Sequence, residues 1–302
     1  MKISLSITLV LLASTWASAQ SSVWKATKDG SITYLGGTCH LLRPSDFPLP
    51  DEFDEAYNAS EVIVFETDIG ALKEPAAQQA ILSRAVYDDG STIDQHLSAE
   101  AYALLSSYCS SNSIPLEMIK QFKPSMIIIV IMMGELKKLG VSMEGVDAFY
   151  YKKATDDGKT LVFLETVEEQ VEFIFGMSAS NENDYVSHSI NEVGEISEVY
   201  ENLADAWRRG DTEKLGELMV KDLKEAMPQL YKELLTDRNK AWLPKLQALH
   251  ETPEVELVLV GVGHMVGPDG IIFSLQEQGY QVEKVTVSEK SPEKVVEPAI
   301  PD

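Results

Sequence analysis

Three short runs of this sequence are apolar through their centres without alternation: residues 61–65 (EVIVF), 161–164 (LVFL) and 255–260 (VELVLV). A strand with one face in water alternates polar and apolar side chains; a run that does not must be covered on both faces. Two long stretches between these runs, 76–139 and 168–250, carry helical signals, with Leu203, Trp207, Leu215, Leu218 and Leu223 at roughly helical spacing. Around them, Lys28-Asp29-Gly30 separates two β-prone runs (23–27 and 31–35) and predicts a hairpin. Short helices are predicted over 51–59, 146–153 and 268–278, a longer one capped by Ser98 and reaching Cys109, and a last strand over 281–287. The expected fold is α/β (α+β). Its central sheet is built from N- and C-terminal strands, with a large helical insertion at about 71–142, all in one domain over 20–287.

The ends read differently. Lys2, the apolar run to Ala13 and Ala17-Ser18-Ala19 form a signal peptide over 1–19. The chain is therefore expected to be exported, to the periplasm or outside a bacterial cell. Spanning a bilayer takes about 20 apolar residues. The run at 126–133 (MIIIVIMM) is much shorter and is expected to bury inside the protein, which leaves no membrane span in the mature chain. Residues 288–302, rich in proline and acid, read as a mobile tail. With 48 Asp and Glu against 25 Lys and Arg, the formal charge is −23. Binding to a phosphate backbone runs on Lys and Arg that release counterions, so nucleic acid is not an expected partner.

One internal echo carries the chemistry. Residues 37–44 (GTCHLLRP) and 261–268 (GVGHMVGP) share Gly-x-x-His-apolar-apolar-x-Pro, each directly after a β-prone run, and use two of only five histidines. Side chains at the carboxyl ends of strands converge on the ligand crevice of an α/β sheet. Gly37, Gly261 and Gly263 let the backbone turn or approach a ligand there. Glu66 and Glu165 each end an apolar run and precede a threonine; either would be costly to bury without a cation or donor. Two imidazoles and a carboxylate, His40, His264 and Glu66, suit a divalent metal such as Mn, Co or Zn with positions open to water. Glu165 is then placed to take a proton from that water. The plainer alternatives are hydrogen-bonded core histidines and glutamates at solvated strand ends. His96, His188 and His250 lack partners at metal spacing, and His250 falls at a predicted helix end. No Gly-x-Ser-x-Gly, GxxxxGK[ST] or His-Glu-x-x-His occurs. Cys39 and Cys109 permit one disulfide in an exported chain but no four-cysteine zinc site.

These elements resemble the TraB/GumN family, whose animal relatives include the Tiki proteases. The residues that carry the likeness are Trp24-Lys25, the GTCHLL turn at 37–42, Glu66, Gly145-Val146-Asp147, Leu164-Glu165-Thr166 with Gln170, Arg238-Asn239 with Trp242, and Gly261-x-x-His264 with Gly267. The resemblance implies a single α/β domain distantly similar to the erythromycin-esterase and ChaN haem-binding folds. It implies metal-dependent proteolysis at His40, Glu66 and His264, with Arg238 and Asn239 positioning a substrate carbonyl. The substrate, peptide, protein or small molecule, does not carry over. A second function class stays open: a non-catalytic protein that binds haem or another small ligand through His40 and His264.

Overall fold

Asp29 and Gly30 both adopt positive φ, 52° and 92°. That turn matches the twist of paired strands, so β1 (Gln20–Lys28) and β2 (Ser31–Thr38) form the expected antiparallel hairpin. The computed structural model describes residues 20–179 and 181–287; the predicted signal peptide and tail lie outside them. Four further strands, β3 (Val62–Phe65), β4 (Thr160–Phe163), β5 (Glu256–Gly261) and β6 (Gln281–Thr286), complete a sheet of order β4-β3-β5-β2-β1-β6. β4, β3, β5 and β2 run parallel, while β1 is antiparallel to both its neighbours. The chain is thus a mixed α/β fold with many helices, whose sheet joins strands from both ends of the sequence.

Burial follows position in the sheet. β5 is buried at all six positions and β3 at three of four, as their unbroken apolar sequences require. β4, predicted to be equally buried, is only half-buried because it is the edge strand. Helices fill the two long connections, 71–157 between β3 and β4 and 167–250 between β4 and β5. They share a second apolar cluster: Ile93, Leu105, Ile127, Ile128 and Ile131 from the first connection meet Tyr185, Val186, Ile190 and Leu230 from the second. The helical insertion expected at about 71–142 is therefore built jointly with the later helices. The run at 126–133 lies on the helix Pro124–Lys138, which buries Ile127, Ile128 and Ile131 and leaves Met132 39% exposed. No described helix is long and apolar enough to cross a membrane.

Both cysteines are free thiols. Cys39 lies in the main core beside Leu42 and Cys109 in the second cluster, so the disulfide that the even count permits is not formed. Burial raises both thiol pKa values, and each packs as a small apolar residue.

Three contacts fix the end of β2, where the first histidine turn begins. Trp207 Nε1 donates to the Gly37 carbonyl at 2.7 Å, and the Trp207 backbone carbonyl accepts from Ser22 Oγ at 2.8 Å. Val146, first residue of the helix Val146–Asp157, donates to the Cys39 carbonyl at 3.0 Å. Gly145 packs directly on the backbone of Cys39 and His40, leaving no room for a Cβ. Gly134, inside the helix Pro124–Lys138, faces open space. Gly134→Ala should therefore raise stability by about 0.5–1 kcal/mol, through helix propensity alone. Gly145→Ala should lower it by about 1–3 kcal/mol as the His40 turn is forced outward. Urea unfolding midpoints of the two variants, one on each side of wild type, test this account of the packing.

Candidate functional site

Four parallel strands end along one edge of the sheet, and each sends one ionisable side chain there. The register pairs Thr38 with Gly261, Phe65 with Leu259 and Phe65 with Phe163. Glu66 therefore directly follows β3, His40 and Glu165 stand two residues beyond β2 and β4, and His264 sits on a one-turn helix, Val262–Met265, after β5. Glu66 Oε1 accepts from the Gly261 amide at 2.7 Å, and the Glu165 amide donates to the Glu66 carbonyl at 2.7 Å. A Cβ on Gly261 would lie 3.0 Å from His40 Nε2 and 3.3 Å from Glu66 Oε1, so glycine is what lets these groups approach. Gly37 likewise lies against Val262, and Gly263 against Met219.

The centre of the cluster is a guanidinium. Arg238, from the helix Asp237–His250, donates through Nε to Glu165 Oε1 at 2.7 Å and through one terminal nitrogen to His264 Nε2 at 3.0 Å. Its other terminal nitrogen reaches Glu66 Oε2 at 2.6 Å, Glu165 Oε2 at 3.0 Å and Gln170 Oε1 at 3.3 Å. The planar fork with its five donors suits such a ring of acceptors. Phe173 and Trp242 flank it at 4.8 and 4.6 Å from their ring centroids, and Trp242 Nε1 donates to Glu165 Oε1 at 3.0 Å. Burial alone would raise the Glu66 carboxyl, but Arg238 and the Gly261 amide outweigh it and hold the pKa down at about 2.

The two histidines differ. His40 presents 59% of its side chain to solvent. Its Nδ1 meets Asp147 Oδ2 at 2.8 Å, and its Nε2 stands 3.9 Å from Glu66 Oε1. Asp147, aided by Glu66, raises its pKa to about 9. His264 is 4% exposed, and burial pushes its pKa down to about 3, so it is neutral at ordinary pH. Its Nδ1 lies 2.7 Å from Asn239 Oδ1.

The structure thus brings together His40, Glu66, Glu165, Arg238, Asn239 and His264. It gives three of them partners that the sequence does not show. Glu66 is not an unpaired charge, because Arg238 neutralises it. Asn239 Nδ2 is spent on the carbonyls of His264 and Asp269, at 3.2 and 2.8 Å, so its amide faces the scaffold rather than a substrate carbonyl. Both oxygens of Glu165 already serve Arg238. Asp147, which the sequence offers only within the Gly145-Val146-Asp147 likeness and without a role, enters the site from the start of a helix, and Thr38 Oγ1 holds its second oxygen at 2.8 Å. His250 does not serve its own helix end: Nδ1 meets Thr33 Oγ1 at 2.9 Å and Nε2 the Lys28 carbonyl at 3.1 Å, near the opposite edge of the sheet.

Oriented imidazoles and a buried carboxylate are the donor types a divalent ion takes. Among the described residues, however, no three His, Cys, Asp or Glu side chains stand at mutual metal-binding distances. The physical reason is Arg238, which spans the gap between Glu66 and His264 and occupies the His264 lone pair.

In comparison with known proteins, the model of the TraB/PrgY/gumN family matches residues 22–284, nearly the whole chain. No curated protein and no solved structure matches it.

Removing the guanidinium would leave two buried carboxylates without a cation. Arg238→Met should cost about 3–5 kcal/mol at neutral pH. The sign of its pH dependence follows from Glu66. Its folded pKa is depressed, so its stabilising contribution is complete above the unfolded value of about 4.3 and is lost as pH falls toward 2. The gap between wild type and Arg238→Met, measured by urea unfolding with chelator present, should therefore narrow from about pH 5 to about pH 3. A gap that is constant or widens over that range would contradict the pairing.

Proposed function

This chain belongs to the TraB/PrgY/gumN family, and on that premise we propose that it is an exported, metal-dependent hydrolase acting on peptide bonds in the periplasm or outside the cell. The observation that carries the reading is the charge of the strand-end cluster. Two carboxylates, Glu66 and Glu165, pair with one guanidinium, a third, Asp147, holds the neighbouring His40, and two imidazole Nε2 atoms border the same space. The cluster is short of positive charge, and the raised pKa of His40 is a response to that shortage.

His40, Glu66 and His264 would hold the ion. A divalent metal supplies Lewis acidity and draws the pKa of water toward about 7. The chain's own groups do the rest. His40 lies at the open lip, so substrate reaches the cluster from its side. Arg238 gives up the His264 lone pair while Nε stays on Glu165. Phe173 and Trp242 shield the guanidinium from water and keep its bonds strong. Glu165 Oε1 carries two donors, whereas Oε2 accepts only from Arg238, which makes Oε2 the atom able to take a proton.

Three measurements test this. Elemental analysis and calorimetry with Mn, Co and Zn should find one bound ion per chain. His40→Ala and His264→Ala should each lose it with an unchanged circular-dichroism spectrum, while Glu165→Gln should retain metal but not cleave a peptide library. Both histidine variants binding as tightly as wild type would sink the shared site, and a Soret band in place of bound metal would favour a haem-binding protein. Export with cleavage after Ala19 requires that protein recovered from the periplasm or medium begin at Gln20 by mass spectrometry; an intact Met1 rejects it.

A further inference from the structure

We infer that Asp147 and Asn239 are positioning residues that fix the ring protons of His40 and His264 on Nδ1, so that both Nε2 lone pairs face the Glu66 cluster. At His264 the assignment follows from donor and acceptor counting. The guanidinium of Arg238 can only donate, so His264 Nε2, 3.0 Å away, must accept and carries no proton. The proton of the neutral ring is therefore on Nδ1 and is donated to Asn239 Oδ1 at 2.7 Å. The orientation of that amide is itself fixed. Asn239 Nδ2 donates to two carbonyls, those of His264 and Asp269, which puts Oδ1 and not Nδ2 against the ring. At His40 the partner is a carboxylate, which only accepts, so Nδ1 is again the protonated nitrogen. Thr38 Oγ1 anchors the other carboxylate oxygen, and the packing of Gly145 on the His40 backbone holds the ring over Gly261.

The two partners are not equivalent. Asp147 holds the exposed ring at the lip through a charged acceptor, and Asn239 holds the buried ring through a neutral one. The tautomers stand on geometry alone; their consequence for metal affinity rests on the hydrolase reading above.

The two parts separate in one experiment on the metal-free full chain. Imidazole 15N shifts, assigned with His40→Ala and His264→Ala, report which nitrogen is protonated; the spectrum is taken at about pH 10, where His40 is neutral. Wild type should show both rings protonated on Nδ1. Asp147→Ala should move His40 alone toward the Nε2–H form that predominates in free imidazole side chains. His264 should keep Nδ1–H in Arg238→Met and move toward Nε2–H only when Asn239→Ala is added to it, since Arg238 otherwise still donates to Nε2. Asp147→Asn retains an acceptor oxygen of the same shape and should restore the wild-type shift, which a loss of packing would not do. The Ala variants should bind Mn, Co or Zn about 10–100-fold more weakly. His264 protonated on Nε2 in wild type, or shifts unmoved both by Asp147→Ala and by Asn239→Ala added to Arg238→Met, would overturn the inference. Wild-type shifts as expected with no metal bound at any concentration would instead overturn the hydrolase reading and leave the positioning roles standing.

Discussion

A single guanidinium determines how this sheet edge can be built. Arg238 is 9% exposed and bonds both Glu66 and Glu165, which leave neighbouring strands β3 and β4, and His264, which follows β5. Without it, two carboxylates would sit side by side in a poorly solvated place, and like charges so close repel strongly. The helix that carries Arg238 is thereby tied across three strand ends, and the aromatic rings of Phe173 and Trp242 close over the ion pairs. Burial, with Arg238 beside it, keeps His264 neutral, while Asp147 draws His40, only a short distance away, toward its charged form.

Much of the fold is legible in the sequence because the sheet centre leaves little choice. Strands β3 and β5 have no polar face, so both sides must be covered, and residues 61–65 and 255–260 announce this directly. The hairpin is equally plain, since Asp-Gly at 29–30 admits the required positive φ. Edge position is not legible. Leu161, Val162 and Phe163 read like a central strand, yet β4 has only one neighbour. Nor does composition place the buried faces of the helices from the two long connections against one another, because that pairing depends on tertiary packing between segments about a hundred residues apart.

The candidate site divides the same way. His40, Glu66, Glu165 and His264 share an edge because each stands just past a strand, which a local pattern can show. The groups that govern their chemistry come from helices: Arg238, Asn239 and Trp242 from one, Asp147 from another, Gln170 and Phe173 from a third. Family likeness names most of these residues without giving their roles. No spacing rule relates Thr38 to Asp147, 109 residues later, or Asp147 to the ring it holds. The two cysteines show the converse. An even count permits a bridge, but packing places the thiols in separate apolar clusters.

The position of β1 has a consequence for how the chain must assemble. The first described strand is not at the rim of the sheet but inside it, between β2 and the last described strand, β6. A growing chain can form the β1–β2 hairpin early, yet both outer edges of that hairpin stay unpaired until β5 and β6 follow, more than two hundred residues later. Closing such distant pairs is entropically slow. Completion of the sheet therefore waits for nearly the whole polypeptide, and no shorter nascent chain holds a finished core. A protein wired this way stays loose while it is being made and locks only once β6 has been added.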